Sequence, residues 1–270
     1  MKKGREEMTL EQAVQLNCVE VVEAILKVTP NKIHIPNMAG NVPLHYAQSI
    51  SVLDKLVEAG ALLEPRNENG RVPLHTLSKV STVQRLLKYG ASPDIADCDG
   101  NTPLHTAKCP RVVKLLLQAC TSSPHQSNSY GHTPLHLACS WGNFKVVRVL
   151  LFAGASSSAT YRNELTPQIL THQILKNTKK ESDRTRLNVT IRLLDLWQKM
   201  HVDSTAITPS FIQKFDSCAA WIPLKGVCKK PQQDLSIACF LPEHVMKEII
   251  ETFVGPWLAA PSLSSVLVTT

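Results

Sequence analysis

The chain has 270 residues, 43% of them hydrophobic and 19% charged, with a formal net charge of +7. This is ordinary globular composition. It excludes a wholly disordered chain and leaves room for a sizeable buried core in one or two domains. No apolar run reaches the roughly 18 residues a membrane span requires, so none is expected.

The N-terminal residues 1–7 are charged and lead into no apolar stretch. They read as a disordered lead-in without a secretory signal. The eight cysteines, Cys18, Cys98, Cys109, Cys120, Cys139, Cys218, Cys228 and Cys239, form no Cys-x-x-Cys pair and match no common zinc spacing. They read as reduced thiols in a cytoplasmic or nuclear protein that holds no metal and no cofactor. The positive charge sits in the middle of the chain. Residues 37–160 carry eleven basic and seven acidic side chains, and residues 161–200 carry eight and four. Such a field favours an acidic partner surface, but acids interrupt it and no stacking aromatics flank it, which argues against nucleic acid.

From residue 8 the chain reads as repeated helix pairs. Thr9-x-x-Gln12 has the spacing of a capping box, and Val19–Leu26 is an apolar run of helical length. Gly40-Asn41-Val42-Pro43-Leu44-His45-Tyr46-Ala47 follows, then Gly70-Arg71-Val72-Pro73-Leu74-His75-Thr76-Leu77. The pattern returns as Gly100-Asn101-Thr102-Pro103-Leu104-His105-Thr106-Ala107 and as Gly131-His132-Thr133-Pro134-Leu135-His136-Leu137-Ala138. A weaker copy, Leu165-Thr166-Pro167-Gln168-Ile169-Leu170, comes next. Thr102 and Thr133 suit the N-cap, and the Pro that follows suits the first helical position. An apolar second helix follows, closed in three units by Gly60, Gly90 or Gly154, where a left-handed C-cap is expected. Neither helix can cover its own apolar face, so neighbouring units must stack.

The Thr-Pro-Leu-His-x-Ala signature and its period resemble the ankyrin repeat. The resemblance implies an all-α solenoid of helix–turn–helix units joined by β-hairpin loops, with a concave recognition groove, and a non-catalytic, monomeric protein-binding scaffold. Six units are read within 8–200, at about 8–36, 37–66, 67–96, 97–127, 128–160 and 161–200. In the last, Lys176–Arg184 reads as a mobile insert and Asn188–Met200 as the second helix.

Units two to four are three residues shorter than unit five between tetrapeptide and second helix. Nearly one helical turn is missing there, and a shallower groove is expected. Pro110 is expected to end the first helix of unit four early. Val42 and Val72 replace the capping Thr, at an expected cost of about 1 kcal/mol each. By the resemblance the four tetrapeptide histidines read as structural, since in ankyrin repeats this histidine makes structural hydrogen bonds, including with the Thr of its tetrapeptide. By the resemblance, partner contacts fall on Tyr46, Thr76, Thr106 and Leu137, and on Arg66, Arg71, Asp97 and Asp99 near the loop tips. Trp141 has two readings: an anchor exposed in the groove, or a residue packed against the unit-six insert.

After Met200 the repeat stops, and prolines punctuate residues 201–270, a tail in which two short helices are expected. Pro223-Leu224-Lys225-Gly226-Val227-Cys228 resembles the start of a SOCS box, which binds elongin C in cullin–RING ubiquitin ligases. Leu241-Pro242-Glu243 with Val245, Ile249 and Ile250 resembles the opening of an F-box. The tail is thus either an irregular cap on the stack or an adaptor segment that contacts a ligase through Leu224, Cys228, Leu241, Pro242, Val245 and Ile249.

Overall fold

A computed structural model describes residues 8–120, 124–161 and 165–203. It contains six helix pairs: α1 (Leu10–Gln15) with α2 (Val19–Val28), the 3-10 turn Pro43–Tyr46 with α3 (Ile50–Glu58), and α4 (Pro73–Thr76) with α5 (Val80–Lys88). They continue with α6 (Pro103–Thr106) and α7 (Pro110–Ala119), α8 (Pro134–Ser140) and α9 (Phe144–Phe152), and α10 (Pro167–Asn177) and α11 (Glu181–Asp203). First helices neighbour first helices from unit to unit, and α2, α3, α5, α7 and α9 form a second layer. The fold is an all-α repeat solenoid.

Burial follows the period. Each second helix of units two to five buries a pair of adjacent residues and a leucine one turn on: Val52, Leu53 and Leu56; Thr82, Val83 and Leu86; Val112, Val113 and Leu116; Val146, Val147 and Leu150. This is the apolar stripe of an amphipathic helix. Thr82 occupies a valine position and is tolerated because its hydroxyl donates to the Lys79 carbonyl at 2.9 Å. Leu44, Leu74, Leu104 and Leu135 fill the space between the layers. Gly60, Gly90 and Gly154 close their helices at φ between +87° and +97°, as expected for left-handed caps.

The loop arms differ from the expected β-hairpins. Among the described residues no strand forms, and Tyr161–Leu165 is an isolated bridge. Each arm is instead a tight turn held by one side chain. Asp97 Oδ1 accepts from the backbone N–H of Asp99 (3.0 Å) and Asn101 (2.8 Å). Asn37, Asn67 and Asn128 do the same in their own units. Adjacent turns touch through one backbone bond, such as Ser129 N–H to Asp99 C=O at 2.9 Å, too little for a ladder to extend. The approach is close enough to dictate glycine: a Cβ on Gly100, which sits at φ +77°, would lie 2.8 Å from Ser129 N.

Unit six also departs from expectation. The segment read as a mobile insert is mostly helical, because α10 runs to Asn177 and α11 starts at Glu181. Acidic Glu181 and Asp183 lie in the first turn of α11, where the helix dipole favours them, and pair with Arg184 and Arg186 three residues on. Arg184 also donates to the carbonyls of Leu175 (3.4 Å) and Thr178 (3.1 Å), satisfying the open C-terminus of α10. The compact unit holding the stack runs to Ile191, inside α11. The adaptor positions Leu224, Cys228, Leu241, Pro242, Val245 and Ile249 lie outside the described residues.

Candidate binding groove

The tetrapeptide histidines organise the first helices. In His45, His75, His105 and His136, Nδ1 accepts the backbone N–H three residues earlier, each at 3.2 Å. An accepting Nδ1 puts the ring proton on Nε2. Nε2 then donates to a carbonyl of the following unit: Arg71 at 3.0 Å, Asn101 at 2.8 Å, His132 at 3.2 Å and Leu165 at 3.1 Å. The Thr102 and Thr133 hydroxyls bond the ring at 3.0 and 2.8 Å, the Thr–His contact that the resemblance implies. Their capping role is different from the one expected, since the imidazole rather than the hydroxyl serves the helix N-terminus. Val42 and Val72 therefore keep the principal cap bond. All four rings are held below the usual imidazole pKa by burial, His105 to about 4. Among the described residues no group of His, Cys, Asp and Glu is placed to hold a metal ion.

The missing turn lies wholly in the first helices. Pro43–Tyr46, α4 and α6 each span four residues, while α8 spans seven. In units two to five the same three-residue link follows the first helix. Pro110 takes no part in the shortening: it is the first residue of α7, where its fixed φ and missing N–H fit. In units three and four the link residues Leu77–Ser78 and Ala107–Cys109 occupy the level that the last turn of α8 fills in unit five.

A depression of about 510 Å³ opens at this step. Its lining includes Arg71, Leu77, Thr106, Lys108, Val112 and Trp141. Leu77 and Val112 are buried and form an apolar floor. Trp141, the C-cap residue of α8, forms a wall, and the Lys108 ammonium lies 5.0 Å from its ring centroid. Asn143 fixes this contact by donating to the Lys108 carbonyl at 2.8 Å. Trp141 is half-buried and faces units three and four, whereas the start of α11 packs on its neighbour Gly142.

Of the residues expected to meet a partner, Arg71, Thr76, Thr106 and Trp141 share this depression; Tyr46, Arg66, Asp97, Asp99 and Leu137 are not among its lining. Tyr46 is tied to its own turn by the side chains of Asn37 (2.9 Å) and Asn41 (3.0 Å). Arg66 donates to the carbonyls of Gly70 (3.1 Å) and Ala96 (2.8 Å), joining two arms. Asp99 accepts from the Tyr130 hydroxyl at 3.1 Å. The Asp97 side chain is 1% exposed, so it is a structural carboxylate rather than a surface contact. Burial alone would raise its pKa, but bonds from Asn101, Arg71 and Asp99 outweigh this and hold it below the usual carboxylate value. Lys108, Leu77 and Val112 were not among the expected contacts. The signal for Lys108 was present in the shortened spacing, because a missing turn exposes the link that replaces it.

Residues 77–161 match a family model described as ankyrin repeats (3 copies). The chain contains ankyrin repeats, and the helix pairs on either side of the matched residues repeat their architecture. It carries a protein–protein interaction module of that kind. No curated protein matches the chain. Among the described residues no helix is long and apolar enough to cross a membrane.

Proposed function

We propose that this protein is a non-catalytic scaffold whose concave face captures a segment of a partner protein in the depression between units three, four and five. One observation carries the reading: a half-buried tryptophan walls a cavity that the shortened helices open. Aromatic anchors in desolvated concave sites supply a large part of binding energy. The test is proximity capture in cells with the full chain and its Trp141→Ala variant. Partners captured by the parent and lost from the variant, at equal expression and equal thermal midpoint, support the groove. An unchanged partner set removes it.

The tail resemblances give a second reading, a substrate-recognition subunit of a cullin–RING ligase. Its support is the paired motifs at Leu224–Cys228 and Leu241–Ile249. Elongin or F-box-adaptor recovery with the full chain, abolished by Leu224→Ala with Cys228→Ala or by Leu241→Ala with Ile249→Ala, is the outcome it requires. Recovery of neither adaptor with the parent chain ends it.

A further inference from the structure

We propose that the depression selects an acidic segment, with a carboxylate set beside an apolar side chain; this rests on the groove reading above. Its lining contains two full charges, Arg71 and Lys108, both positive, and no carboxylate. The nearest acid, Asp97, takes only one edge of Arg71, with Nε to Oδ2 at 3.2 Å. The Arg71 side chain remains 41% exposed while that of Asp97 is buried. Lys108 is exposed and forms no ion pair among the described residues; its contact is the Trp141 face.

The two threonine hydroxyls in the lining are already committed. The Thr76 hydroxyl donates to the carbonyl of His45 at 2.8 Å or of Pro73 at 3.0 Å, and that of Thr106 reaches the carbonyls of Pro103 and His75. Both threonines staple one first helix to the next. The charged donors in the lining are the two cations, and these call for an anion. The floor of Leu77 and Val112 and the Trp141 wall call for an apolar group beside it. A basic segment would meet like charge with no acid to relieve it, so the same lining also rejects wrong partners.

The test is a selection of random linear peptides displayed on phage against the full chain, followed by affinity measurement of the enriched peptides. The expected result is enrichment of sequences with Glu or Asp next to a large apolar residue, bound by the parent and lost with Trp141→Ala. Lys108→Glu should weaken these peptides by about fivefold, with Lys108→Arg restoring them. Lys108 is exposed and its backbone carbonyl keeps the Asn143 bond, so these variants preserve the stack. Peptides that depend on Trp141 but carry no acidic preference, or that bind Lys108→Glu as well as the parent, would overturn the charge inference and leave the groove standing. Peptides indifferent to Trp141→Ala, or no enrichment at all, would overturn both.

Discussion

At the residue scale, the loop arms depend on a few side chains with no free bonding capacity. Asp97 stands where three other units have Asn, and it differs in needing both oxygens as acceptors. Oδ1 closes the turn, while Oδ2 takes the Arg71 Nε and, at 3.3 Å, the Asn101 amide. Asp97→Asn keeps the first role and turns an amide NH₂ toward two donors. The expected loss is about 1–3 kcal/mol, read as a lower urea midpoint. A midpoint equal to the parent's would mean that the Oδ2 contacts contribute nothing. Gly100→Ala tests the close approach of neighbouring arms. The added methyl meets backbone at 2.8 Å on a residue at φ +77°, so neither rotation nor a side-chain shift relieves it. The cost should exceed in size the roughly 1 kcal/mol that a glycine replacement gains at a compatible position. Gly90→Ala, at φ +97° with nothing within 4 Å of the added methyl, should cost less.

At the element scale, repeat spacing was the most legible feature of the sequence. The proline period located every first helix from unit two onward, and the three-residue deficit located the step in the stack. The spacing could not say whether the deficit falls in helix or link, because both alternatives leave the same number of residues. Pro110 looked like a helix breaker for the same reason: at a boundary, proline ends one element or begins the next. The Lys176–Arg184 segment was misread because its polar composition resembles a loop. Its helicity comes from charge order, with acids first and arginines three residues later, and from Arg184 reaching back to α10. Tyr46, Arg66 and Asp97 read as surface groups in the sequence because their bonding partners within the arms are not visible there.

The step itself can be removed. Lengthening α6 by three residues after Thr106, with the Ala-Cys-Ser turn that unit five carries before Trp141, should extend the helix to the level of α8. The added turn would fill the depression. The expected outcome is loss of every partner that Trp141→Ala loses, with helical circular dichroism undiminished. Retained binding in such a variant would place the recognition surface elsewhere.

At the scale of the whole molecule, the stack is a chain of interfaces, and the four from unit two to unit six are each crossed by one histidine Nε2–H bond; repeat stability is approximately a sum of such neighbour terms. The same rings make the stack acid-sensitive. Above the unfolded histidine pKa of about 6.5 the rings are neutral in both states, and their stabilisation is fully present. Below it the unfolded chain takes up protons that the folded rings refuse, because burial disfavours the charge and Nδ1 already faces N–H donors. Stability then falls with falling pH until each folded pKa is reached, which for His105 is about 4. That ring alone accounts for roughly 3 kcal/mol across the window, a large share of the 5–15 kcal/mol typical of a folded domain. The other three act in the same direction. The urea midpoint should therefore drop steeply between pH 6.5 and 4. Unit one supplies the control, since Gln12 occupies the histidine position there and accepts the Thr9 N–H at 2.9 Å without titrating. His105→Gln should preserve the cap, lower stability at pH 7 by losing the bond to unit five, and flatten the pH dependence by the share that His105 contributes. A parent midpoint that is level across this range would show that the buried rings are not the source of acid sensitivity.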